Sequence, residues 1–282
     1  MNATTGLVLE GGGMRGVFTI GALDALMDAG IRFPYGIGVS AGACHGMSFL
    51  SGQRGRAKKA SIDFLETYDY VGIQHLLRHR AIFDMEVLYG RLPNEIYPFD
   101  YAAAFANPMQ YEVVATNCLT GRAEYLSETS DPDRLLNICR ASSSLPFVAP
   151  ICDVNGTPML DGGITDPIPI ERAIARGYSK NLVILTRDKD YRSGRDVKWP
   201  RFVYKNYPRL RVALSRMERT YNEEVELVQR LEESGRVLVI RPDRPLEVGR
   251  LEKNTNKLRA LYDNGYATAM RVINSTAANI FL

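Results

Sequence analysis

A serine framed by small residues is the first feature of this sequence whose type and setting favour covalent chemistry. Its neighbours complete a G-x-S-x-G pattern around Ser40 and are Gly38, Val39, Ala41 and Gly42. The apolar stretch 36–39 predicts a short strand, and the stretch through Leu50 predicts a helix. Between a strand and a helix, this pattern strains the serine backbone and exposes the hydroxyl. Ser40 is therefore predicted to be a nucleophile.

A glycine-rich turn follows the first predicted strand, residues 6–10, and can supply backbone amides to the same site. Its members are Gly11, Gly12, Gly13, Met14, Arg15 and Gly16. Consecutive glycines leave their N–H groups uncovered, and such donors can form an oxyanion hole. Losing one donor of this kind typically lowers the rate by about 10²–10³-fold. We expect Gly12 and Gly13 to be these donors.

The same turn matches the G-x-G-x-x-G pattern of dinucleotide-binding proteins, so a phosphate cradle is the alternative. That use requires an acidic residue about twenty residues further on, where the second strand ends. No carboxylate occurs between Pro34 and Gly42, and no Gly-Lys-Ser/Thr follows the turn as in a Walker loop. This pattern favours the oxyanion hole. Three roles stay open for Arg15: supporting the loop, attracting an anionic head group, or forming a structural salt bridge.

A third turn, Asp161-Gly162-Gly163, follows the predicted strand 157–160. Alone, such a turn is common, with the aspartate as a helix N-cap. All three turns, however, come at the carboxyl ends of predicted strands, which is where an open α/β sheet builds its site. Asp161 is therefore a candidate for the base that activates Ser40.

The histidines decide which class of hydrolase fits. The sequence has only His45, His75 and His79, so the chain order Ser, Asp, His of an α/β-hydrolase triad is not available with Asp161 as the acid. His45 follows Ser40 by five residues, about 140° around a helix, and is predicted to face away from the hydroxyl. His75 and His79 are predicted to be solvated. A Ser–Asp dyad is then the simplest arrangement, with the carboxylate taking the serine proton directly.

The order strand, loop, helix, strand, turn, helix at the N-terminus predicts a doubly wound α/β fold with a parallel sheet. Further strands are predicted over 109–117, 122–126, 182–185 and 237–240, and helices over 17–29, 131–140, 210–228 and 251–273. Residues 53–107 are predicted to be an insertion that covers one end of the sheet. We expect one domain, 1–282, with a motif-bearing core over 5–190 and a helical C-terminal extension over 200–282.

Composition narrows the function classes. The 282 residues are 45% hydrophobic and 24% charged, with a net charge of +3, which is too small to indicate a nucleic-acid partner. The four cysteines show no C-x-x-C pair and no metal-ligand spacing, so we expect free thiols and no metal: Cys44, Cys118, Cys139 and Cys152. No secretory leader is visible, and no apolar run approaches the ~18 residues of a membrane span. A cytoplasmic protein is the expectation.

The three motifs together resemble the patatin-like phospholipase family, and in particular its small bacterial members. They occur in the family's order and span residues 11–163, a little over half the chain. The resemblance implies a three-layer α/β/α fold with a central, mostly parallel sheet. It also implies a dyad of Ser40 and Asp161, an oxyanion loop over 11–16, and hydrolysis of lipid acyl esters without a cofactor. The C-terminal third carries no motif of this family.

Several functions stay open at this point. Phospholipase A and lysophospholipase activities both fit the leading hypothesis, and a broad carboxylesterase acting on soluble esters is the second. A nucleotide-binding protein that uses residues 11–16 comes from a different class, as does a lipid-binding module with intact motifs. The sequence does not indicate the oligomeric state.

A basic segment over residues 187–216 predicts contact with a membrane surface. It has ten Lys/Arg against three Asp/Glu, interleaved with the aromatic residues Tyr191, Trp199, Phe202, Tyr204 and Tyr207. Cations with interfacial aromatics suit anionic lipid. The alternative is a solvated loop whose aromatic rings pack on the core.

Overall fold

The structure is a computed structural model that describes residues 5–194 and 203–282. The strands are β1 (Thr5–Leu9), β2 (Tyr35–Val39), β3 (Gln110–Asn117), β4 (Arg122–Leu126), β5 (Cys152–Val154), β6 (Thr157–Asp161), β7 (Lys180–Ile184) and β8 (Val237–Ile240). The α-helices are α1 (Val17–Asp28), α2 (Ala41–Leu50), α3 (Arg56–Lys58), α4 (Phe64–Thr67), α5 (Ile73–His79), α6 (Tyr101–Ala106), α7 (Pro132–Ser142), α8 (Ile170–Ala175), α9 (Pro208–Glu233) and α10 (Thr255–Ile273). Short 3₁₀ segments are Gly13–Gly16, Gly162–Ile164 and Thr276–Ile280, and π-helical segments are Lys59–Asp63 and Val87–Ile96.

The strands form one mixed sheet in the order β5-β6-β3-β2-β1-β7-β8, with β4 paired to β3. The central run from β3 to β8 is parallel, and β4, β5 and β6 are antiparallel to their neighbours. Every residue of β1 is buried, as expected for a parallel strand covered on both faces. Two parallel strands, β1 and β2, therefore end on the same side of the sheet, where the turns over 11–16 and 38–42 follow them. Strand β6, which leads into Asp161-Gly162-Gly163, runs antiparallel to β3.

Helices cover both faces of the sheet. Leu7 and Leu9 point into the larger core with residues of α1, α2, α7 and α10. Val8, between them, points into the opposite core with residues of α8 and α9. This alternation follows from the two-residue period of a strand. The predicted three-layer α/β/α fold with a mostly parallel sheet is confirmed.

The insertion predicted over 53–107 is a chain of short helices joined by two π-helical segments. Its helices are interrupted because π segments widen the turn, and Pro93 inside the second segment lacks an N–H. Aromatic stacking stabilises the first part, in which Phe64 contacts Tyr68 and Tyr70 with ring centroids 5.4 and 5.8 Å apart. The insertion packs beside α2, the helix that follows Ser40.

The C-terminal region is built into the same layers. β8 extends the sheet by pairing with β7, and α10 crosses α1 at backbone contact. A Cβ atom placed on Gly21 or Gly265 would come within 2.1 Å of a carbonyl oxygen on the other helix. The helix predicted over 251–273 begins later, at Thr255, because the Asn254 side chain caps it by accepting the Lys257 amide. The division into one domain stays a prediction.

None of the helices in the described ranges combines the length and the apolarity that a membrane span requires.

Candidate active site

Ser40 lies at the junction between β2 and α2 in a strained backbone conformation. Its φ is 53° and its ψ is −124°, a region that non-glycine residues rarely adopt. The Ser40 amide donates to Ser142 Oγ at 2.9 Å, and Ser142 Oγ donates to the Val114 carbonyl at 2.6 Å. This relay fixes the strained turn to the neighbouring strand β3. Ser40 is also the N-cap of α2, and the positive end of the helix dipole favours negative charge there.

The two glycines of the elbow are required by close packing. A Cβ on Gly42 would come 2.5 Å from the Glu10 carbonyl oxygen, and one on Gly38 would come 2.7 Å from the Ala43 Cα. Neither position has room for a side chain. These contacts explain why both positions are occupied by glycine.

Strand β3 brings Ser40 and Asp161 together through its register. Its residues 110–114 pair with β2, while 115–117 pair with β6. Because β4 occupies the other edge of β3 over 113–117, β2 and β6 share one edge, end to end. Val39 pairs with Val114, and Asp161 pairs with the next residue, Ala115. The end of β2 and the end of β6 therefore meet, although more than a hundred residues separate them.

Asp161 is a buried carboxylate whose two oxygens differ in their hydrogen bonding. Oδ1 accepts a hydrogen bond from the Gly163 amide at 2.7 Å. Oδ2 is buried and makes no hydrogen bond of standard geometry with the described residues. The Ser40 hydroxyl nevertheless lies close enough to interact with this carboxyl group. Burial raises the pKa of Asp161 to about 6, against the smaller lowering effects of Ser40, Gly163 and Arg250.

The glycine-rich turn lies directly against the nucleophile. A Cβ on Gly11 would come 3.2 Å from Ser40 Cβ. Within the described part of the chain, the Gly12 and Gly13 amides donate no hydrogen bond. Both therefore remain candidates for the oxyanion hole that the sequence predicts.

The rest of this turn is fixed by contacts that sequence reasoning missed. The Met14 amide donates to the Arg250 carbonyl at 3.1 Å. Gly13 has a φ of +58°, and a Cβ there would come 2.7 Å from the same carbonyl oxygen. The C-terminal region therefore shapes the turn, a contact that no local sequence pattern signals.

Glu10, immediately before the turn, is a second buried carboxylate. Its Oε2 accepts hydrogen bonds from the amide and the hydroxyl of Thr186, and its Oε1 accepts one from Tyr221 at 3.0 Å. Burial raises the pKa of Glu10, and these hydrogen bonds oppose the rise. Glu10 thus ties the turn to β7 and α9. In the sequence, the only sign of this structural role is that a charged residue, Glu10, directly follows an apolar strand.

Arg15 is buried in the turn without a salt bridge to any described residue. Its Nε has no hydrogen-bond partner there. Burial and, to a smaller extent, the neighbouring cations Arg250 and Arg187 lower the pKa of Arg15 to about 10. Of the three roles left open by the sequence, the structural salt bridge is not formed with any carboxylate that the structure describes.

An apolar cavity of about 180 Å³ begins at Ser40. Its wall includes Val17, Leu88, Leu92, Phe99 and Leu135, contributed by α1, the insertion and α7. An engineered apolar cavity of about 150 Å³ is known to bind benzene, so this volume suits part of a hydrocarbon chain. The site therefore offers a nucleophile at the wall of an apolar pocket.

The histidines are placed differently from one another. His45 lines the same cavity as Ser40 but forms no hydrogen bond with it, and burial lowers the pKa of His45 to about 4. The prediction that His75 is solvated is wrong. It is buried where the insertion packs, with Nε2 2.6 Å from the Asp69 carbonyl and Nδ1 3.6 Å from the Asp84 carboxylate. The side chain of His79 lies outside the described residues.

All four cysteines are free thiols. Cys44 lies in the cavity wall, with its sulfur 3.2 Å from the Tyr89 hydroxyl and 3.4 Å from Ser143 Oγ. In the described ranges, no group of three or more His, Cys, Asp or Glu side chains is arranged to hold a metal ion.

The described aromatic residues of the basic segment pack on the protein. The Tyr204 hydroxyl accepts the Phe147 amide at 2.9 Å, and the Tyr191 ring contacts Tyr221. Five cations and aromatic residues of the segment lie outside the described residues: Arg195, Lys198, Trp199, Arg201 and Phe202. Membrane docking by this segment stays a prediction.

Comparison with known families identifies the fold that carries this site. The sequence model of the patatin-like phospholipase family matches residues 7–174, which is more than half of the chain. The chain belongs to the patatin-like phospholipase family. This is a family of ester-bond hydrolases, and all three motifs lie within the matched residues. A second family model, named a domain of unknown function (DUF6363), matches residues 207–280.

Two individual proteins resemble this patatin-like chain. The uncharacterized protein YjjU of Escherichia coli (strain K12) is 30% identical over 192 residues, covering 64% of this chain and 50% of YjjU. The chain thus spans about half the length of this curated relative. The crystal structure of VipD from Legionella pneumophila aligns with a TM-score of 0.48 at 15% identity, covering 96% of this chain and 67% of VipD.

Proposed function

We propose that this protein is a serine acyl hydrolase that cleaves carboxylic esters of lipids, with phospholipase A or lysophospholipase activity. Ser40 is the nucleophile and Asp161 is its general base. The observation that carries this proposal is the buried Asp161 Oδ2, which makes no hydrogen bond of standard geometry with a described residue, in a carboxyl group that interacts with the Ser40 hydroxyl. A buried acceptor without a partner is costly, and such atoms are retained where they have a chemical role.

The first half-reaction forms an acyl-enzyme. Asp161 accepts the hydroxyl proton while Ser40 Oγ attacks the ester carbonyl carbon. The carbonyl oxygen becomes an oxyanion and accepts hydrogen bonds from the Gly12 and Gly13 amides. When the intermediate collapses, the bond to the leaving alcohol breaks, and the alcohol oxygen takes the proton from Asp161.

The second half-reaction releases the fatty acid. Asp161 is again a carboxylate and accepts a proton from water, whose oxygen attacks the acyl carbon. The second tetrahedral intermediate uses the same two amides. It collapses by breaking the bond to Ser40 Oγ, which recovers its proton from Asp161. No step requires a histidine, because one carboxylate moves the proton in both directions.

The apolar cavity supports a lipid acyl group as the substrate. Its wall is largely apolar and reaches from Ser40 into the insertion. Burial of each methylene is worth about 0.8 kcal/mol, so a longer acyl chain should bind more tightly until the pocket is full. Family membership supports the same substrate class.

The test is a chain-length series of nitrophenyl esters, followed by phospholipids and lysophospholipids. We expect kcat/KM to rise from acetyl to medium or long acyl esters, and Ser40→Ala to abolish hydrolysis of all of them. A steady preference for acetyl esters would instead support a broad carboxylesterase. Thermal stabilisation by NAD or ATP without ester hydrolysis would support a nucleotide-binding protein and contradict the proposal.

We also propose that the enzyme meets its lipid at a membrane surface through the basic segment 187–216. The charge balance of that segment supports this contact. Reversing the charges of Arg195, Lys198 and Arg201 should weaken binding to anionic liposomes. Unchanged binding would contradict this part of the proposal.

A further inference from the structure

The segment matched by the family of unknown function, 207–280, reaches the proposed active site through Arg250. The Arg250 carbonyl accepts the Met14 amide at 3.1 Å, and its Cβ lies 3.4 Å from where a Gly13 Cβ would be. Its side chain is exposed. The backbone of Arg250 therefore holds the glycine-rich turn, while its guanidinium has no hydrogen bond or salt bridge with a described residue and can meet a ligand.

Two further arginines lie near Arg250. Arg15, in the turn, is 6% exposed, and its buried Nε has no hydrogen-bond partner among the described residues. Arg187 is half-buried after β7, with its guanidinium 4.1 Å from the centre of the Tyr191 ring. Its Nε also lacks a partner in the described ranges. Arg15 belongs to the turn, Arg250 contacts it through its backbone, and Arg187 follows Thr186, whose hydroxyl donates to the Gly11 carbonyl at 3.0 Å.

None of these three arginines forms a salt bridge with a described carboxylate. Arg172 shows the usual arrangement, because Glu112 accepts two hydrogen bonds from it at 2.9 and 2.7 Å. Glu10 is the carboxylate whose charge favours the ionised form of Arg15, but Thr186 and Tyr221 occupy its oxygens.

The electrostatics agree with this geometry. Arg187 and Arg250 lower the pKa of Arg15, so the charge of each repels that of Arg15. Arg250 also lowers the pKa of Asp161, which places its charge within reach of the dyad. Guanidinium groups without acidic partners are suited to bind phosphate or carboxylate through paired hydrogen bonds.

We propose, building on the hydrolase function above, that Arg250 together with Arg15 and Arg187 binds an anionic group of the substrate and selects acyl esters that carry a phosphate. The cavity wall contains none of these three arginines. The acyl chain and the phosphate therefore have separate binding surfaces beside Ser40. The segment 207–280 contributes one of them, in addition to holding the turn.

The test compares two monoacyl esters of glycerol with the same acyl chain, one with a phosphate on the glycerol and one without. The ratio of their kcat/KM values is measured for the wild type, Arg250→Ala and Arg250→Lys. We expect Arg250→Ala to lower the preference for the phosphate ester about tenfold, which corresponds to about 1.4 kcal/mol. Lysine keeps the charge without the planar fork and should give an intermediate ratio. Both variants keep the backbone carbonyl that binds Met14.

Arg244→Ala is the matched control, because Arg244 is an exposed arginine in the same connection before α10. It should keep the wild-type ratio. A ratio that is the same in Arg250→Ala and in the wild type would overturn the proposal. A second result would also overturn the proposal: inorganic phosphate alters hydrolysis of the neutral ester, but Arg250→Ala leaves the ratio unchanged. The arginines would then bind a free anion and not the phosphate of the substrate.

Binding separates this inference from the hydrolase proposal. In the Ser40→Ala background, the affinity for the phosphate ester is measured by calorimetry with and without Arg250→Ala. Weaker binding after the arginine is removed supports the anion site even if the wild type hydrolyses neither ester. Equal affinity overturns the anion site even if the wild type is an active hydrolase.

Discussion

The ends of strands β1 and β6 carry two buried carboxylates that differ in one respect. Glu10 is 2% exposed and Asp161 is 3% exposed, and burial raises the pKa of both. Both oxygens of Glu10 accept hydrogen bonds, from Thr186 and Tyr221. Asp161 has one oxygen bound by the Gly163 amide and one without a partner among the described residues.

This difference distinguishes a carboxylate that stabilises the fold from one that is expected to take part in proton transfer. A fully bonded carboxylate stabilises the elements that it joins, whereas an unpaired buried oxygen costs about 1–3 kcal/mol. Such a cost is typical of functional sites, where the surrounding fold maintains an unfavourable arrangement. Glu10 and Asp161 should therefore respond to substitution in opposite ways.

The largest expected effect is on turnover. Asp161→Asn removes the proton acceptor but keeps an oxygen for the Gly163 amide, so kcat/KM should fall by about 10³-fold or more. Ester hydrolysis measured beside the circular dichroism spectrum checks this. The matched control is Asp166→Asn, a buried aspartate nearby whose Oδ2 accepts the Tyr125 hydroxyl at 2.8 Å. If both variants lost activity equally, Asp161 would have no special role.

The next effect is on stability, with opposite signs at the two carboxylates. Glu10→Ala leaves the Thr186 amide and the Tyr221 hydroxyl unpaired and should lower the free energy of unfolding by about 1–3 kcal/mol. Asp161→Asn should raise it at about pH 8, because the ionised carboxylate is buried there.

The sign at Asp161 follows from its pKa. Burial raises the pKa of Asp161 from its ordinary value of 3.8 to about 6 in the folded protein. Protonation of Asp161 therefore stabilises the folded state fully below the pKa of the unfolded chain, and this stabilisation is lost as the pH rises through the pKa of the folded protein. The gain in melting temperature of Asp161→Asn should therefore be larger at about pH 8 than at about pH 4. A loss of stability at both pH values would contradict the account of Oδ2.

The pH profile gives a further test of the same carboxylate. Asp161 must be ionised to accept a proton, and its pKa is raised to about 6 by burial. The acidic limb of kcat/KM should therefore break near that pH and fall about tenfold for each unit below it. A limb that breaks at the pKa of an ordinary aspartate would show that the base is more exposed than this structure indicates.

The smallest expected effect is at the histidine in the cavity. His45→Gln should change kcat/KM by less than about fivefold, whereas loss of a general base costs about 10²–10⁴-fold. A loss in that larger range would show that His45 takes part in proton transfer and that the dyad is incomplete.

Local patterns predicted much of this molecule. Strand β4, predicted over 122–126, could be read from a short window, because its local pattern is set by neighbouring residues. The three motif turns could be located for the same reason. The meeting of Ser40 and Asp161 was inferred from strand ends, and its basis in the shared edge of β3 emerges only from the fold.

Contacts between distant segments could not be predicted in this way. Ser142, which binds the Ser40 amide, lies 102 residues further along the chain, and Tyr221 lies 211 residues beyond Glu10. Arg250 has no motif around it, and its contact with Met14 depends on how the last third of the chain packs. His75 was expected in solvent because it lies on a helix of the covering insertion, whereas packing of that insertion buries it.

Reaction with a fluorophosphonate, mapped by mass spectrometry, tests the central claim most directly. The probe phosphonylates a serine only if the hydroxyl is activated. We predict a single labelled peptide carrying the adduct on Ser40 in the wild type, with labelling strongly slowed in Asp161→Asn and retained in Asp166→Asn. Labelling at another residue, or labelling of Ser40 at the same rate without the Asp161 carboxylate, would contradict a Ser40–Asp161 dyad.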